Sequence, residues 1–251
     1  MSGKFVNRFS GKGEMYFKYR PGYPKKEILE ILNAEIDFDR SRIVADVGSG
    51  TGLLSRVFLE NGNKVFGVEP NDEMRSFGET DLSGFDNFVS VKGTAENTGL
   101  ADHSVDLVVA GQALHWFDRE ASRSEFMRIL NNGCVLIAYN ERRKEKKTAM
   151  EDYENMTSKH TKKTEVPDID DDFLSKFFKS SYKKFTVRNE QSLDLEGLLG
   201  RAGSASYLPS EGQEGFEAMK QDLQILFNTH QKEGQITLEY ATVLYLGQIK
   251  S

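Results

Sequence analysis

Short apolar runs alternate with helical stripes along the chain as far as residue 140. Runs rich in valine, isoleucine and phenylalanine predict strands at 43–47, 64–68, 88–92, 105–110 and 134–139. Between several of these runs, apolar residues recur at helical spacing, as at 24–34, 53–62 and 121–130. Strands that alternate with helices pair in parallel through crossover connections, so the pattern predicts a doubly wound α/β sheet.

The pattern changes after residue 140. Charged segments at 141–147 and 168–172 flank polar sequence with few apolar positions, which predicts a helical insertion or cap over 141–180. Strand signals return at 184–188 and 235–247, with a helical stripe between them that begins at Phe216. We therefore expect a single domain over 1–251 with four parts: an N-terminal arm and helix (1–35), a core (36–140), the insertion or cap (141–180) and a segment that completes the sheet (181–251).

Composition argues against nucleic-acid and membrane partners for this domain. The chain has 33 Lys+Arg against 39 Asp+Glu, and its net charge of -6 argues against a nucleic-acid-binding surface spread over the whole protein. No apolar run reaches the roughly 18 residues of a membrane span, and the N-terminus lacks the apolar stretch of a secretory signal. We expect no membrane partner and a cytoplasmic location, with the oligomeric state open between a monomer and a weak dimer.

The cysteine count argues against an internal disulfide, and the histidine spacing argues against a metal site. One cysteine, Cys134, cannot form an internal disulfide and is expected to be a buried apolar residue. The four histidines show no metal-ligand spacing, so no metal is expected.

The sharpest motif is the segment VADVGSGTG at 44–52, which joins a predicted strand to a predicted helix. Gly48, Gly50 and Gly52 allow the backbone to turn tightly and to approach a ligand, and the helix that follows presents unpaired amides. A plain strand-to-helix connection is the alternative. Glu69 ends the next predicted strand, where an acidic side chain accepts hydrogen bonds from ribose hydroxyls, so the pair indicates a nucleoside site.

The spacing of the glycines helps to distinguish a dinucleotide site from a site for a nucleoside that carries an amino acid. Dinucleotide-binding proteins use G-x-G-x-x-G, whereas this turn is G-x-G-x-G. Asp46 at the end of the strand would repel a pyrophosphate but would suit an ammonium group. The motif therefore favours a nucleoside that carries an amino acid over NAD.

Several motifs in this order resemble those of class I S-adenosylmethionine-dependent methyltransferases: VADVGSGTG, VFGVEPNDEM, GTAENTGLADHSVDLVVAGQALHWFD and ILNNGCVLIAY. The segments 16–24 and 204–209 are similar to the small-molecule branch that includes trans-aconitate methyltransferases. The resemblance implies a Rossmann-like, seven-stranded mixed sheet with one antiparallel strand in its last hairpin. It also implies S-adenosyl-L-methionine as the cofactor, with the N-terminal arm closing over it and 36–140 as the cofactor-binding core.

The resemblance implies roles for individual residues. It places the glycine turn at the methionine part of the cofactor, Glu69 at the ribose hydroxyls and Glu96 at the adenine amino group. Tyr16 and Arg20 belong to the arm that would close over the cofactor, and for both a structural role in pinning the arm is at least as good an explanation as a cofactor contact. The full set of expected cofactor contacts is Tyr16, Arg20, Asp46, Gly48, Ser49, Gly50, Gly52, Glu69, Pro70, Met74, Thr94, Ala95, Glu96, Gln112 and Ala113.

Three residues are candidates for contact with the acceptor. His115 follows the end of a predicted central strand, where open α/β sheets bind ligands. It is a candidate catalytic base, a hydrogen-bond donor to a substrate carboxylate or a loop residue that only packs. Trp116 beside it is a candidate pocket wall, and the resemblance places Tyr207 near the substrate.

The favoured function is methylation of a small molecule, with O-methylation of an organic acid carboxylate as one form of it. A carboxylate acceptor requires no general base, whereas a hydroxyl or carbon acceptor requires one such as His115. Two alternatives are a nicotinamide-dependent oxidoreductase and a nucleoside-binding regulatory protein without turnover.

Overall fold

The computed structural model describes residues 17–143, 148–161 and 169–250. Tyr16 of the predicted cofactor set lies outside the described residues. The strands are β1 (Ile43–Val47), β2 (Lys64–Val68), β3 (Phe88–Val91), β4 (Val105–Gly111), β5 (Leu130–Arg142), β6 (Tyr182–Leu193) and β7 (Ile236–Gly247). The helices are α1 (Lys25–Ile36), α2 (Leu53–Leu59), α3 (Asp72–Asp81), α4 (Arg119–Ile129), α5 (Ala149–His160), α6 (Asp171–Phe178), α7 (Leu195–Gly203) and α8 (Phe216–His230). None of the helices within these ranges combines the length and the apolar character needed to cross a bilayer.

The strands form one seven-stranded sheet in the order β3-β2-β1-β4-β5-β7-β6. The first five strands of this order pair in parallel, and β7 is antiparallel to both of its neighbours. The predicted doubly wound mixed α/β sheet is confirmed. Since β1 leads to β2 on one side and β4 leads to β5 on the other, a crevice opens between the loops that follow β1 and β4. This side of the sheet, where the parallel strands end, is called the carboxyl edge below.

Both faces of the sheet are buried, as parallel pairing requires. One face is covered by α4 and α6 and buries Val108 and Ile137. The opposite face is covered by α1 and α2 and buries Leu107 and Leu136. Adjacent residues of β4 and β5 therefore enter different cores, which explains why these strands are almost continuously apolar.

A third apolar cluster lies where β5 reaches the carboxyl edge. Helices α5, α7 and α8 bury Tyr153, Leu198 and Leu223 there against Leu238 and Tyr240 of β7. The two helices in the described parts of 141–180 thus pack in different apolar clusters. Helix α5 belongs to this cluster, whereas α6 packs Leu174, Phe177 and Phe178 into the sheet core.

Strand β5 is longer than the predicted 134–139 and extends to Arg142, past the expected start of the insertion. Its pairing with β4 shifts register between Val105 and Leu107. Gly133 allows the close approach, since a Cβ there would lie 1.9 Å from the carbonyl oxygen of Asp106.

Two helices, α3 and α7, were not predicted from the sequence pattern. Helix α3 buries only Met74 and Gly78, and it begins where the Asn71 side chain accepts a hydrogen bond from the Met74 amide at 3.0 Å. Helix α7 contains three glycines, which disfavour a helix in isolation, and it is capped by Asp194. Tertiary packing and capping therefore define these two elements.

Candidate functional site

The glycine turn after β1 has the backbone that the motif predicts. Gly48, Gly50 and Gly52 adopt φ values of 70°, 57° and 85°, a region that L side chains rarely adopt. A Cβ at Gly48 would lie 2.8 Å from the Cβ of Ala113, so only glycine lets the turn pass against the loop that follows β4. The amides of Gly48 and Ser49 donate to the carbonyl oxygen of Val68 at 2.9 and 3.1 Å, which fixes the turn over the end of β2.

Glu69 joins the glycine turn to the start of α3. One carboxylate oxygen accepts from the Gly50 amide at 3.0 Å, and the other accepts from the Asn71 amide at 2.8 Å. Burial raises the pKa of Glu69, and the two backbone donors oppose that rise. A carboxylate offers about four lone-pair directions, so two remain to accept from ligand hydroxyls.

Asp46 is buried at the carboxyl end of β1. Its Oδ2 accepts from the Ser55 hydroxyl at 2.6 Å, and Oδ1 has no hydrogen-bond partner among the described residues. Burial raises the pKa of Asp46 to about 7, and the nearby charge of Glu69 adds to this effect. An unpaired buried carboxylate oxygen is suited to a cationic ligand group.

Met74 and Pro70, predicted to pack on the adenine or ribose, flank the start of α3. Met74 is buried, and its methyl group lies 3.4 Å from the position of a Cβ at Gly50. Pro70 is half-buried between Glu69 and the helix cap. Both lie close to the glycine turn.

The segment 94–96, predicted near the adenine, follows β3. Thr94 closes a tight turn in which its amide donates to the carbonyl oxygen of Asn97 at 3.0 Å. Ala95 is buried in the sheet core. Glu96 accepts a hydrogen bond from the Asp118 amide at 2.8 Å, so this side chain is held at the start of α4.

Gln112 follows β4 and spans the ends of two strands. Its backbone has a φ of 55°, and its amide donates to the Ala138 carbonyl oxygen at 2.9 Å. Its side-chain Nε2 donates to the carbonyl oxygen of Asn140 at 3.0 Å. Gln112 therefore joins the ends of β4 and β5, next to Ala113, whose Cβ lies against Gly48 of the glycine turn.

A cavity of about 220 Å³, called the arginine cavity below, lies next to Gln112. It brings together three predicted residues that are distant in sequence, Arg20, Gln112 and Tyr207. It is also lined by Leu53, the first residue of α2, and by two arginines that the sequence analysis did not select, Arg142 and Arg201. The cavity thus adjoins the glycine turn at the carboxyl edge.

The two arginines are held by different partners. Arg142 donates from Nη1 to Glu154 at 3.1 Å and to the Thr157 hydroxyl at 3.0 Å, and from Nη2 to the Tyr207 hydroxyl. Arg201 is almost fully buried, and its Nε donates to a tyrosine hydroxyl of β7 at 3.2 Å. Arg142 belongs to the charged segment 141–147, which was expected to open a helical insertion, but it is the last residue of β5 and lines the cavity. The signal that could have found it is its position three residues beyond the apolar run 134–139.

His115 and Trp116 lie in a 3₁₀ turn over residues Leu114–Trp116 after β4. The Nδ1 atom of His115 is 3.2 Å from the Tyr139 hydroxyl, and its ring packs on Trp116 with 4.4 Å between centroids. Neither residue lines the arginine cavity. Among the described residues, no group of three or more His, Cys, Asp or Glu side chains is placed to hold a metal ion.

The described part of the N-terminal arm, residues 17–24, crosses the ends of several elements beside the cavity. Arg20 donates to the Ser204 carbonyl oxygen at 3.0 Å. Asn140 donates to the carbonyl oxygen of Gly22 at 3.0 Å, and Gln191 donates to that of Tyr19 at 3.0 Å. Arg20 therefore both pins the arm and lines the cavity.

Comparison with known proteins is consistent with this architecture. Residues 45–138 match the model of a methyltransferase domain. The chain is 37% identical over 118 residues to an uncharacterized methyltransferase of Mycobacterium tuberculosis, an alignment that covers 47% of this chain and 45% of that protein. The chain spans about half the length of the first curated relatives that it matches.

Solved structures share the fold over nearly the whole chain. A putative type II methyltransferase from Anaeromyxobacter dehalogenans superposes with a TM-score of 0.69 and 18% identity, covering 92% of this chain and 98% of that one. A Haemonchus contortus phosphoethanolamine N-methyltransferase, solved with phosphomonomethylethanolamine and S-adenosylhomocysteine, gives a TM-score of 0.56 and 14% identity over 98% of this chain and 59% of that one. The chain has the Rossmann-like methyltransferase fold.

Proposed function

We propose that this protein is an S-adenosylmethionine-dependent methyltransferase that acts on a small molecule and methylates a carboxylate oxygen of an organic acid. The observation that carries the proposal is the contact between the glycine turn and Glu69 at the carboxyl edge. The Gly50 amide donates to the Glu69 carboxylate at 3.0 Å. The methyltransferase domain match over 45–138 and the fold of the solved neighbours support it. The resemblance to the small-molecule branch supports the choice of acceptor.

The residues at the carboxyl edge fit this cofactor. Glu69 retains acceptor positions for ribose hydroxyls, and the unpaired oxygen of Asp46 suits an ammonium group. The positive-φ glycines of the turn let its backbone approach the amino-acid part of the cofactor without side chains in between. When bound, S-adenosylmethionine supplies an electrophilic methyl group on a positively charged sulfur. The G-x-G-x-G spacing and the buried Asp46 at the end of β1 do not suit a pyrophosphate, so the nicotinamide alternative is not favoured.

The arginine cavity fits the acceptor in this proposal. Its volume of about 220 Å³ is below the roughly 300–1,000 Å³ of pockets that hold drug-sized ligands, which favours a small metabolite. A carboxylate is already deprotonated, so the chain needs only to orient it and exclude water. His115 lies outside the cavity lining, and this agrees with an acceptor that requires no base. The proposed base role of His115 applies only to an acceptor that must lose a proton.

Transfer of a radiolabelled methyl group to a pool of small organic acids tests the proposal. We expect a product that releases volatile methanol in alkali, because carboxyl methyl esters hydrolyse there while N-methyl and C-methyl groups do not. Glu69→Ala should abolish most of the transfer, and Glu30→Ala, which removes an exposed carboxylate from α1, should leave it unchanged.

Two outcomes would contradict the proposal. An alkali-stable product would exclude carboxylate methylation. No transfer to any acid in the pool, together with retained binding of S-adenosylhomocysteine, would favour the regulatory protein without turnover.

A further inference from the structure

Arg201 carries a buried positive charge that the protein itself leaves incompletely satisfied. Its side chain is 3% exposed, and its Nη1 has no hydrogen-bond partner within the described ranges. No carboxylate of the described residues lies within ion-pair distance of it. A buried charge is costly unless it is paired and fully hydrogen-bonded, so binding of an anionic group next to this guanidinium would be favourable.

Aromatic rings surround this charge. The Arg201 guanidinium lies 5.9 Å from the ring centroid of Tyr240, and the Arg142 guanidinium lies 5.2 Å from that of Tyr153 and 5.9 Å from that of Tyr207. These five residues form the arginine–tyrosine cluster. Cation–π contacts compensate part of the desolvation of the two cations but leave their charge in place.

A further unpaired group belongs to the cluster. The Tyr153 hydroxyl is fully buried and has no hydrogen-bond partner in the described part of the chain. Burial raises the pKa of Tyr153, and the charges of Arg201 and Arg142 oppose that rise, which shows that both cations act on this phenol. The phenol therefore stays neutral and adds a hydroxyl donor near the guanidinium groups.

The charges of the cluster favour a monoanionic ligand group. Of the described carboxylates, Glu154 alone forms an ion pair with either arginine, through Arg142. The pair Arg142 and Arg201 thus keeps one excess positive charge beside the cavity. A single carboxylate balances that excess, whereas a phosphate monoester brings close to two negative charges.

The position of the cluster relates it to the reaction. Arg142 and Arg201 line the same cavity as Leu53, which follows the glycine turn, and Gln112, which follows β4. A ligand that contacts the arginines is therefore next to the edge where the cofactor is proposed to bind.

We propose that Arg201, together with Arg142, forms an internal binding site for a carboxylate of the acceptor and selects anionic over neutral acceptors. This inference rests on the proposed function for the role of the ligand as acceptor, while the anion site itself rests on the cluster. Guanidinium groups and a hydroxyl match a carboxylate because they donate several hydrogen bonds to its two oxygens.

Calorimetric titration of the protein saturated with S-adenosylhomocysteine tests the site. The probes are acetate, succinate and citrate, with succinamide as the neutral counterpart of succinate and inorganic phosphate as the competing anion. We expect at least one carboxylate to bind, succinamide not to bind, and Arg201→Met to weaken carboxylate binding by about 10- to 100-fold through loss of charge-assisted hydrogen bonds. Arg201→Lys keeps the positive charge but lacks the planar guanidinium group with its several donors, so it should weaken carboxylate binding by an intermediate factor.

The controls separate this site from folding and from the cofactor. Arg188→Met removes an exposed arginine of β6 outside the cavity and should bind carboxylates like the wild type. Arg201→Met should keep the wild-type affinity for S-adenosylhomocysteine, and its melting temperature should not fall, because the variant loses a buried unpaired charge.

The inference would be overturned if no carboxylate binds, if succinamide binds as well as succinate, if phosphate binds in preference to every carboxylate, or if Arg201→Met retains full carboxylate affinity. A selective loss of S-adenosylhomocysteine affinity in Arg201→Met would assign the arginine to the amino-acid carboxylate of the cofactor and would also overturn it. If the wild type binds carboxylates but not S-adenosylhomocysteine, the proposed function fails while the anion site stands.

Discussion

Two buried acidic side chains lie at the carboxyl ends of the neighbouring parallel strands β1 and β2. Asp46 lies at the end of β1, Glu69 directly follows β2, and burial raises the pKa of each. Glu69 uses both oxygens to hold backbone amides, whereas one oxygen of Asp46 has no partner among the described residues. The edge therefore favours a ligand with hydroxyl and cationic groups over one with a pyrophosphate.

The raised pKa of Asp46 predicts a pH-dependent stability. Between the ordinary value of 3.8 and about 7, the folded state keeps a proton that the unfolded state has released. The free energy of unfolding should therefore fall as the pH rises through this window, by an amount on the order of 2–4 kcal/mol. Asp46→Asn does not titrate, so its stability relative to the wild type should rise between pH 5 and pH 8 in urea unfolding experiments.

The matched control is Asp86→Asn, which changes an exposed acid after α3. This variant should follow the wild-type pH profile. Parallel profiles for Asp46→Asn and the wild type would show that Asp46 is ionised in the folded state over the whole window.

The N-terminal arm and α7 position each other through one close contact. A Cβ at Gly200 of α7 would lie 2.2 Å from ring atoms of Tyr19, so the ring packs directly on the helix backbone. The Tyr19 hydroxyl also donates to Glu196 at 2.9 Å. Because Arg20 follows Tyr19 and Arg201 follows Gly200, this contact sets the spacing between two residues that line the cavity.

Replacing Gly200 tests the coupling between the arm and α7. Gly200→Ala should destabilise the protein by about 1–3 kcal/mol through overpacking against Tyr19, although alanine is the better helix former. Urea unfolding measures the change, and proteolysis of the arm should become faster. In the double variant Tyr19→Ala/Gly200→Ala the ring is gone, and adding the second substitution to Tyr19→Ala should be neutral or stabilising. The contact would be excluded as the cause if Gly200→Ala destabilised both backgrounds equally.

The whole molecule is organised around the crevice between β1 and β4. Strand order places the glycine turn, Glu69 and Gln112 at one edge, although they come from separate crossover units. The antiparallel strand β7 then pairs with β5 and brings Tyr240 opposite Arg142. One sheet thus joins the proposed cofactor edge and the arginine cavity.

Ligand-induced stabilisation tests this arrangement at the level of the whole chain. S-adenosylhomocysteine at 100 times its dissociation constant should add about 2.7 kcal/mol to the free energy of unfolding. NAD under the same conditions should add nothing, because the G-x-G-x-G turn lacks the dinucleotide spacing and Asp46 opposes a pyrophosphate. Thermal unfolding measures both, and stabilisation by NAD alone would contradict the proposed cofactor.

Local patterns in the chain were enough to predict the strand-turn-helix unit around the glycine turn. Strands β1 and β2 lie at the predicted 43–47 and 64–68. The alternation predicted the doubly wound α/β sheet, and the family resemblance implied its seven strands and mixed pairing. The Glu69 position follows from the same logic, because an acid at the end of the second strand must lie beside the first turn. Periodicity and positive-φ glycines are short-range properties that a linear sequence records directly.

The arginine cavity needed long-range packing. Three residues of the arginine–tyrosine cluster come from separate elements. Arg142 ends β5 in a charged segment, Arg201 lies in the glycine-rich helix α7, and Tyr240 lies in β7, whose composition indicates only a strand. Their common environment depends on β7 inserting between β5 and β6 and on α7 covering the edge. The chain's pattern therefore defines where the proposed cofactor edge lies, whereas the burial of two like charges at one cavity is a property of the assembled fold, because desolvation depends on every neighbour at once.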